Sequence, residues 1–339
     1  MSNGKKVLMQ IVLIPGDGIG KEIAASVKEV STALNCDIDW LEYEAGAEYY
    51  EKSGALLQEG LLDKIKETGL ALKGPTATPI GTGFRSINVQ LRQTFKTYAN
   101  LRPVHSMAGV PSRYENVDLV IFRENTEDLY RGIEYMCDSD TAHGIKIITR
   151  KASDRIIRAA FEYARANHRN KVTCVHKANI MKLTDGLFLE TFGNIAKEYP
   201  DIASDSVIID ALCMKLVTDP TPFDVLVTEN LYGDIISDLC AGLAGGLGFA
   251  PSANIGDDVI IYEAVHGSAP DIAGQNKANP TALLMAFAML LNDHGMKDKA
   301  DRLNKAIAEV IEEGKTVTAD IGGTAGTKEF TAAVIARLS

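Results

Sequence analysis

The chain has 339 residues, 46% of them hydrophobic and 24% charged, which bounds it to one large or two ordinary globular domains. Its net charge of −10 argues against non-specific nucleic-acid binding, and every apolar run is short or carries Gly or charge, which argues against a membrane span. If the ligand is anionic, such a protein must gather its cations locally, and the sequence should show where.

The first residues carry neither a secretory signal nor an Arg-rich amphipathic presequence, so a cytoplasmic location is expected, with the mitochondrial matrix as the alternative if a presequence has been removed. Residues 7–14 form an apolar run that reads as a buried strand. Pro15-Gly16-Asp17-Gly18-Ile19-Gly20 follows, then a helical pattern over 21–34. Strand, turn and helix in this order open many α/β proteins. The glycine spacing is G-D-G-I-G rather than G-x-G-x-x-G, so a Rossmann dinucleotide site is rejected. The five cysteines Cys36, Cys137, Cys174, Cys213 and Cys240 are odd in number and form no CxxC, so reduced thiols are expected.

A helix is expected over 61–67 and a short strand over 70–73, followed by a Gly/Pro/Thr loop at 74–83. Ser86 is a plausible N-cap for a helix over 87–95, and Asn88 and Arg92 would share one face of it. Arg102 ends a strand over 98–104, and Arg123 ends the buried strand 117–122. Arginines at strand ends are poised over the crevice where α/β proteins bind ligands, and guanidinium matches carboxylate with two donors. Any one of them could equally be a surface residue or a structural ion pair, with Glu124 beside Arg123 as a partner. Three in one region of an acidic protein favour a polyanion site.

Residues 131–149 break the α/β rhythm with two β-like runs that suit a projecting hairpin. Tyr130 and Lys177 are the proton-transfer candidates; Lys177 follows an apolar strand, and a solvated strand-end lysine is the competing reading. Helices and strands then alternate to about residue 243, a Gly-rich crossover covers 241–249, and helices dominate from 280 onward. Asp234 and Asp238 lie one helical turn apart, so their carboxylates leave one face and repel. No basic residue stands within a turn, and a divalent metal held by carboxylate oxygens is the obvious counter-cation. A bare D-x-x-x-D is otherwise a solvated acidic face, and this segment alone leaves both readings open.

Together these segments resemble the isocitrate/isopropylmalate dehydrogenase family of metal-dependent β-decarboxylating dehydrogenases. The most specific pieces are Arg123-Glu124-Asn125-Thr126-Glu127-Asp128-Leu129-Tyr130, then Asn230 to Asp238, then His266-Gly267-Ser268-Ala269-Pro270-Asp271-Ile272-Ala273-Gly274. The resemblance implies an α/β, two-domain isocitrate/isopropylmalate dehydrogenase-like fold with a twisted mixed sheet. Residues 1–100 and 248–339 would form a large discontinuous domain on the nucleotide side, and 101–247 a small domain with the metal and dimer elements. It implies a homodimer or higher homo-oligomer with shared active sites, clasped by the 131–149 hairpin. By the same resemblance Arg92, Arg102 and Arg123 grip substrate carboxylates, and Asp210, Asp234 and Asp238 hold Mg²⁺ or Mn²⁺. Tyr130 and Lys177 move protons, with Lys177 and Asp210 supplied by the second subunit.

Ser86 and Asn88 stand in the family's substrate-selecting segment. Two hydrogen-bonding side chains there suit a third carboxylate, as in isocitrate, better than an isopropyl group, against which they would be desolvated without compensation. Homoisocitrate differs by one methylene and is harder to exclude. Some family members are regulated by phosphorylation at the Ser86 position, where added charge would block the anionic substrate. For the nucleotide, the resemblance points to His266, Gly267, Asp271, Ile272, Asn279 and Asp320, with Gly322 and Gly323 keeping a loop close. Asp271 would accept from a ribose 2′-hydroxyl and repel a 2′-phosphate, so NAD is expected. A non-catalytic regulatory subunit is the competing class, disfavoured because every expected arginine, tyrosine, lysine and aspartate is present.

Overall fold

The computed structural model describes residues 8–77 and 86–338, so the first residues and most of the 74–83 loop lie outside the described residues. Its strands are β1 (Met9–Ile14), β2 (Ile38–Glu42), β3 (Leu70–Lys73), β4 (Ala99–His105), β5 (Asp118–Glu124), β6 (Glu134–Met136), β7 (Ala142–Gly144), β8 (Lys171–His176), β9 (Ala203–Ile208), β10 (Val225–Thr228), β11 (Pro251–Ile255) and β12 (Ile260–Ala264). The α-helices are α1 (Gly20–Ala33), α2 (Ala47–Ser53), α3 (Leu61–Thr68), α4 (Ile87–Thr94), α5 (Arg150–Ala166), α6 (Thr184–Ala196), α7 (Ile209–Thr218), α8 (Asn230–Leu243), α9 (Thr281–Asp293), α10 (Lys297–Glu313) and α11 (Thr327–Ile335).

Ten strands make one mixed sheet in the order β2-β1-β3-β12-β11-β4-β5-β10-β8-β9. The flanks are parallel, and β12, β11, β4 and β5 are mutually antiparallel at the centre. The parallel strands β3 and β10 are buried at every position, as a strand covered on both faces requires. One face carries a large core in which Ile11, Leu13, Val120 and Phe122 pack with residues of α1, α5, α9 and α10. The other face carries two smaller cores. One joins β5 to α7 and α8; the other joins β1 and β3 to α3 and α4.

Between those two smaller cores the sheet is polar. Asn254 of β11 stands opposite Asn100 of β4, and Asn100 opposite Arg123 of β5, so the three share one face. Lys73 stands opposite Glu263 across β3 and β12. This strip is the floor of a crevice walled by α4 and α8.

Residues 131–149 do contain a two-stranded hairpin, β6 with β7, and its Tyr135 and Met136 are exposed. β2, β11 and β12 were not expected: β11 reads Pro-Ser-Ala-Asn-Ile, with little β-branched signal. α8 starts at Asn230, a turn before Asp234, so both Asp234 and Asp238 lie within it.

The opening turn also has a local reason for its glycines. Gly16 and Gly18 have φ of +77° and +58°, and a Cβ on either would fall 2.0 Å from the carbonyl oxygen of Pro75 or Ser268. The amides of Asp17 and Ile19 donate to those same oxygens, at 2.8 and 2.9 Å. The turn therefore pins the start of the 74–83 loop against the segment around Ser268. The five cysteines carry free thiols. Among the described residues no helix is long and apolar enough to cross a membrane.

Candidate active site

Arg92, Arg102 and Arg123 all enter the crevice, from α4, β4 and β5, with 8%, 7% and 1% of their surface exposed. Burial, then the neighbouring Arg92 and Arg102, pull the Arg123 guanidinium down to about 10, with Asp234 opposing. Arg102 is pulled down by burial and Arg92 in the same way. A cluster of buried like charges is stable only against anions: α8 supplies them to Arg102 and Arg123, and Glu263 of β12 pairs with Arg92 at 3.4 Å. Arg123 pairs with Asp234 through one terminal nitrogen and donates from Nε to Asn230 Oδ1 at 2.9 Å. Arg102 reaches Asp238 Oδ1 at 3.0 Å, Ser237 Oγ at 2.6 Å and Asp234 at 3.6 Å. Gly233 makes this approach possible, because a Cβ there would sit 2.5 Å from Arg123 Cγ.

The aspartate pair thus finds counter-cations far away in sequence, where local reading pointed first to a metal. Glu124 is not the partner of Arg123; its carboxylate takes the hydroxyl and amide of Thr126 and the amide of Glu127. The Tyr130 hydroxyl donates to Asp234 Oδ2 at 2.5 Å, and the Arg123 guanidinium lies 4.9 Å from the Tyr130 ring. Burial pushes the Asp234 carboxyl up, but Arg123, Tyr130 and Arg102 outweigh it and hold it below the usual range. Burial and the bond to Asp234 raise the Tyr130 phenol, with Arg123 opposing. At neutral pH the cluster holds an ionised aspartate and a protonated phenol. The second terminal nitrogen of Arg123 is buried with no partner, an unused donor in the crevice.

Local sequence reading missed the layer beneath. Asn254 Oδ1 accepts from Arg92 Nε at 3.1 Å and from Asn100 and Asn125 at 3.0 Å each. Asn254 Nδ2 donates to Glu263 at 2.7 Å, and Glu263 pairs with Lys73 at 3.1 Å. Burial pushes the Glu263 carboxyl up, yet Lys73, Arg92 and Asn254 bring it down to about 2. The signal for these residues is in the sequence: an ionisable side chain inside an apolar strand must be paired. On α4, Asn88 accepts from Thr76 at 3.3 Å. Ser86 does occupy the N-cap position of α4, but its hydroxyl makes no capping bond.

Lys177 and Asp210 stand elsewhere, joined to each other in a largely exposed ion pair. The Lys177 amide donates to buried Asp185 at 2.7 Å. Asp185 and Glu229, the residue before α8, share Lys146 at 2.5 and 2.6 Å. Burial lifts the Glu229 carboxyl to about 8 against the pull of Lys146.

Among the residues that the resemblance assigns to the nucleotide, Asn279 Nδ2 donates to Asp320 Oδ2 at 2.9 Å. His266 Nδ1 contacts the Gly267 carbonyl at 3.0 Å, and its Nε2 is buried without a partner. Asp271 is exposed and Ile272 half-buried. Gly322 is left-handed with φ +85°, and a Cβ on Gly323 would meet the Val317 carbonyl oxygen at 1.9 Å. Both glycines are required by the turn itself.

A profile described as isocitrate/isopropylmalate dehydrogenase matches residues 10–334. The chain belongs to the isocitrate/isopropylmalate dehydrogenase family. It is 51% identical to the mitochondrial isocitrate dehydrogenase [NAD] catalytic subunit 6 of Arabidopsis thaliana, over 96% of this chain and 87% of that protein. It is 47% identical to a mitochondrial protein of Dictyostelium discoideum named as a regulatory subunit of isocitrate dehydrogenase [NAD], over 100% of this chain and 94% of that protein. The crystal structure of isocitrate dehydrogenase from Methylococcus capsulatus superposes with a TM-score of 0.94 at 50% identity, covering 98% of this chain and 99% of that one. The fold is therefore the family's α/β fold with a large mixed sheet, not a Rossmann fold.

The donor sets fit what such dehydrogenases use. Asp234 and Asp238 are carboxylates one turn apart with 38% and 54% of their side chains exposed, hard oxygen donors suited to Mg²⁺ or Mn²⁺. One chain brings together only these two of the three expected ligands: among the described residues no group of three or more His, Cys, Asp or Glu side chains gathers as a metal site. The partnerless His266 Nε2 and the Asn279–Asp320 pair offer a nucleotide hydrogen-bonding atoms.

Proposed function

We propose that the chain is a catalytic, NAD-dependent isocitrate dehydrogenase that oxidises and decarboxylates isocitrate to 2-oxoglutarate and CO₂ with Mg²⁺ or Mn²⁺. The observation that carries this reading is the buried cluster of Arg92, Arg102 and Arg123 facing Asp234, Asp238 and Tyr130. A tricarboxylate would take over the guanidiniums that the aspartates now occupy and free carboxylate oxygens for the metal. The partnerless nitrogen of Arg123 is available to it at once.

In this reading Asp234 and Asp238, with Asp210 of a second subunit, would hold the metal, which would supply a Lewis acid for the substrate's 2-oxygen. The arginines orient the carboxylates, so that the carboxylate beside the new ketone leaves as CO₂. Lys177, directly or through water, takes the hydroxyl proton. Tyr130, kept protonated by burial and Asp234, returns a proton to the enol carbon. Ser86 and Asn88 meet the third carboxylate, which favours isocitrate over isopropylmalate. The nucleotide lies on the side built by residues 1–100 and 248–339, across from the metal and dimer elements of 101–247.

Lys177 and Asp210 then have to come from a second subunit. Exposed apolar residues support such a contact: Met136 on β6 (60% exposed), Leu183 after the Lys177 strand (88%) and Met214 on α7 (62%). A matrix location is supported by the mitochondrial names of the Arabidopsis and Dictyostelium relatives rather than the cytoplasmic one expected from the sequence.

The full-length similarity to a protein with a regulatory name favours a second reading, a chain that binds the same ligands without turning them over. Expression of this chain alone and assay with Mn²⁺, NAD and isocitrate, homoisocitrate or isopropylmalate separates the readings. Turnover with the highest kcat/KM on isocitrate is expected. Binding of isocitrate without turnover would assign the regulatory role.

A further inference from the structure

On the other side of the segment that carries Arg123 and Tyr130 lies a second cleft of about 590 Å³, which the dehydrogenase reading does not use. Its charged lining comes from four basic side chains, Lys96, Arg131, Lys151 and Arg155, and one acidic one, Glu127. In a protein of net charge −10 this is a local reversal of sign.

α5 gives an internal control. Arg150, Arg158 and Arg165 each pair with a carboxylate of α6 or of the segment just after it: Glu190 at 3.3 Å, Glu198 at 2.6 Å and Asp201 at 2.6 Å. Lys151 and Arg155, which line the cleft, pair with none among the described residues, and neither do Lys96 and Arg131 across from them. The Arg155 guanidinium is stacked 4.2 Å from the centre of the Tyr98 ring, which fixes its plane and leaves its in-plane N–H groups to other partners. Its Nε is shielded from solvent and has no acceptor. A buried guanidinium donor without an acceptor marks a position where an oxygen is wanted.

Two acids stand near these charges, and neither forms an ion pair with them: Glu124, which feels Arg155 electrostatically, is buried and takes its hydrogen bonds from Thr126 and Glu127, and Glu127 is the one acid of the lining. Both oxygens of Glu127 are occupied by Thr149, which donates its amide at 2.7 Å and its hydroxyl at 2.9 Å. Burial raises the Glu127 carboxyl to about 7, against Thr149 and with Glu124 and Asp128, so much of it is neutral at physiological pH. Thr149 and Ala152 also bring the first turn of the 17-residue α5 to the cleft, adding the positive end of its dipole.

We propose that this cleft is a second anion site, separate from the crevice under α8, that takes a small organic phosphate. Phosphate suits it because one compact group offers several oxygens and close to two charges to cations arriving from both walls. The cleft and the crevice are two sides of one segment: the Glu127 carbonyl accepts from Asn230 Nδ2 at 3.1 Å, and Asn230 holds Arg123. The binding claim does not depend on the dehydrogenase reading.

The test is calorimetry with inorganic pyrophosphate in EDTA, with no substrate or nucleotide present. Wild type is compared with Lys96→Glu/Lys151→Glu, Arg155→Gln and, as a control in the crevice, Arg102→Gln. The two lysines are exposed, so that double variant is expected to fold, and its Tm is checked. Binding at least about tenfold weaker in both cleft variants, and within about twofold of wild type in Arg102→Gln, is expected. Undetectable binding in wild type at millimolar pyrophosphate, or a loss confined to Arg102→Gln, would overturn the proposal.

Discussion

Arg102 and Arg123 rise from adjacent strands at the middle of the sheet, 7% and 1% exposed, and reach carboxylates of α8. Asp271 and Asp320 ride instead on turns at the surface and keep much of their area in water. In the first region each charge is held by another charge, so removing one leaves its partner buried and unpaired. In the second, Asp271 can be exchanged without breaking a side-chain bond, whereas Asp320 holds only neutral partners, Asn279 and Thr318. In the proposed function the same contrast separates residues that carry out chemistry from residues that select between related ligands, and four variants probe it.

Arg123→Met is expected to have the largest effect. It strips Asp234 of its main counter-charge, removes a donor from Asn230 and deletes a proposed carboxylate anchor. The expected fall in kcat/KM for isocitrate is roughly 10⁴-fold, with a stability loss of about 3 kcal/mol, at the low end for a broken buried pair because Asp234 is partly solvated. A loss below tenfold in steady-state assays would show that the crevice does not grip substrate through this residue.

Tyr130→Phe removes one hydroxyl from the same cluster and leaves the ring over Arg123. If Tyr130 delivers a proton, kcat falls roughly 10²-fold or more while KM for isocitrate changes little. A KM increase with unchanged kcat would instead make Tyr130 a binding residue.

Glu263 tests how far the support layer depends on its charges. Its carboxyl lies near 2 in the folded chain against an ordinary 4.5. A depressed folded value stabilises the protein above pH 4.5 and is lost as pH falls from there toward 2, on the order of 3 kcal/mol in all. Glu263→Gln should lower stability at pH 7, since Lys73 loses its partner, and should flatten the decline below pH 4.5. Parallel acid-denaturation curves for the two proteins would contradict this.

The two regions also differ in how far they can be read from sequence. Strands such as β1, β5 and β8 are legible because apolar runs such as 117–122 have few other uses. The central β11 is not, since Asn254 and Ser252 interrupt it for the sake of the polar floor. Arg102 and Arg123 stand out as charges in buried strands, although Arg102 lies at the middle of β4 and not at its end, and their pairing with Asp234 and Asp238 depends on the antiparallel register of β4 against β5 and on how α8 packs over it. No local pattern encodes either. Lys177 is singled out locally as a strand-end lysine and Asp210 only through family resemblance; within one chain they form a pair of their own away from the crevice. The nucleotide side shows the reverse: its glycines are explained by local turns, while its ligand contacts rest on the resemblance.

The smallest effect is expected from exchanging Asp271 for Lys together with Ile272 for Tyr. Asp271 makes no side-chain ion pair among the described residues; only its backbone carbonyl is engaged, by Gln275 Nε2 at 2.7 Å. The exchange therefore costs the fold little, and Tm should move by no more than a degree or two, as for most surface substitutions. If the carboxylate selects NAD by accepting from a ribose 2′-hydroxyl, its loss removes one hydrogen bond to a charged group and one repulsion toward a 2′-phosphate. Each is worth about 1–2 kcal/mol where solvent still reaches. The ratio of kcat/KM for NADP to that for NAD should rise by about tenfold or more, with kcat for isocitrate oxidation within a few-fold of wild type. An unchanged ratio would move nucleotide selection away from this turn, and a collapse of kcat would mean that the two regions are not as separable as their burial implies.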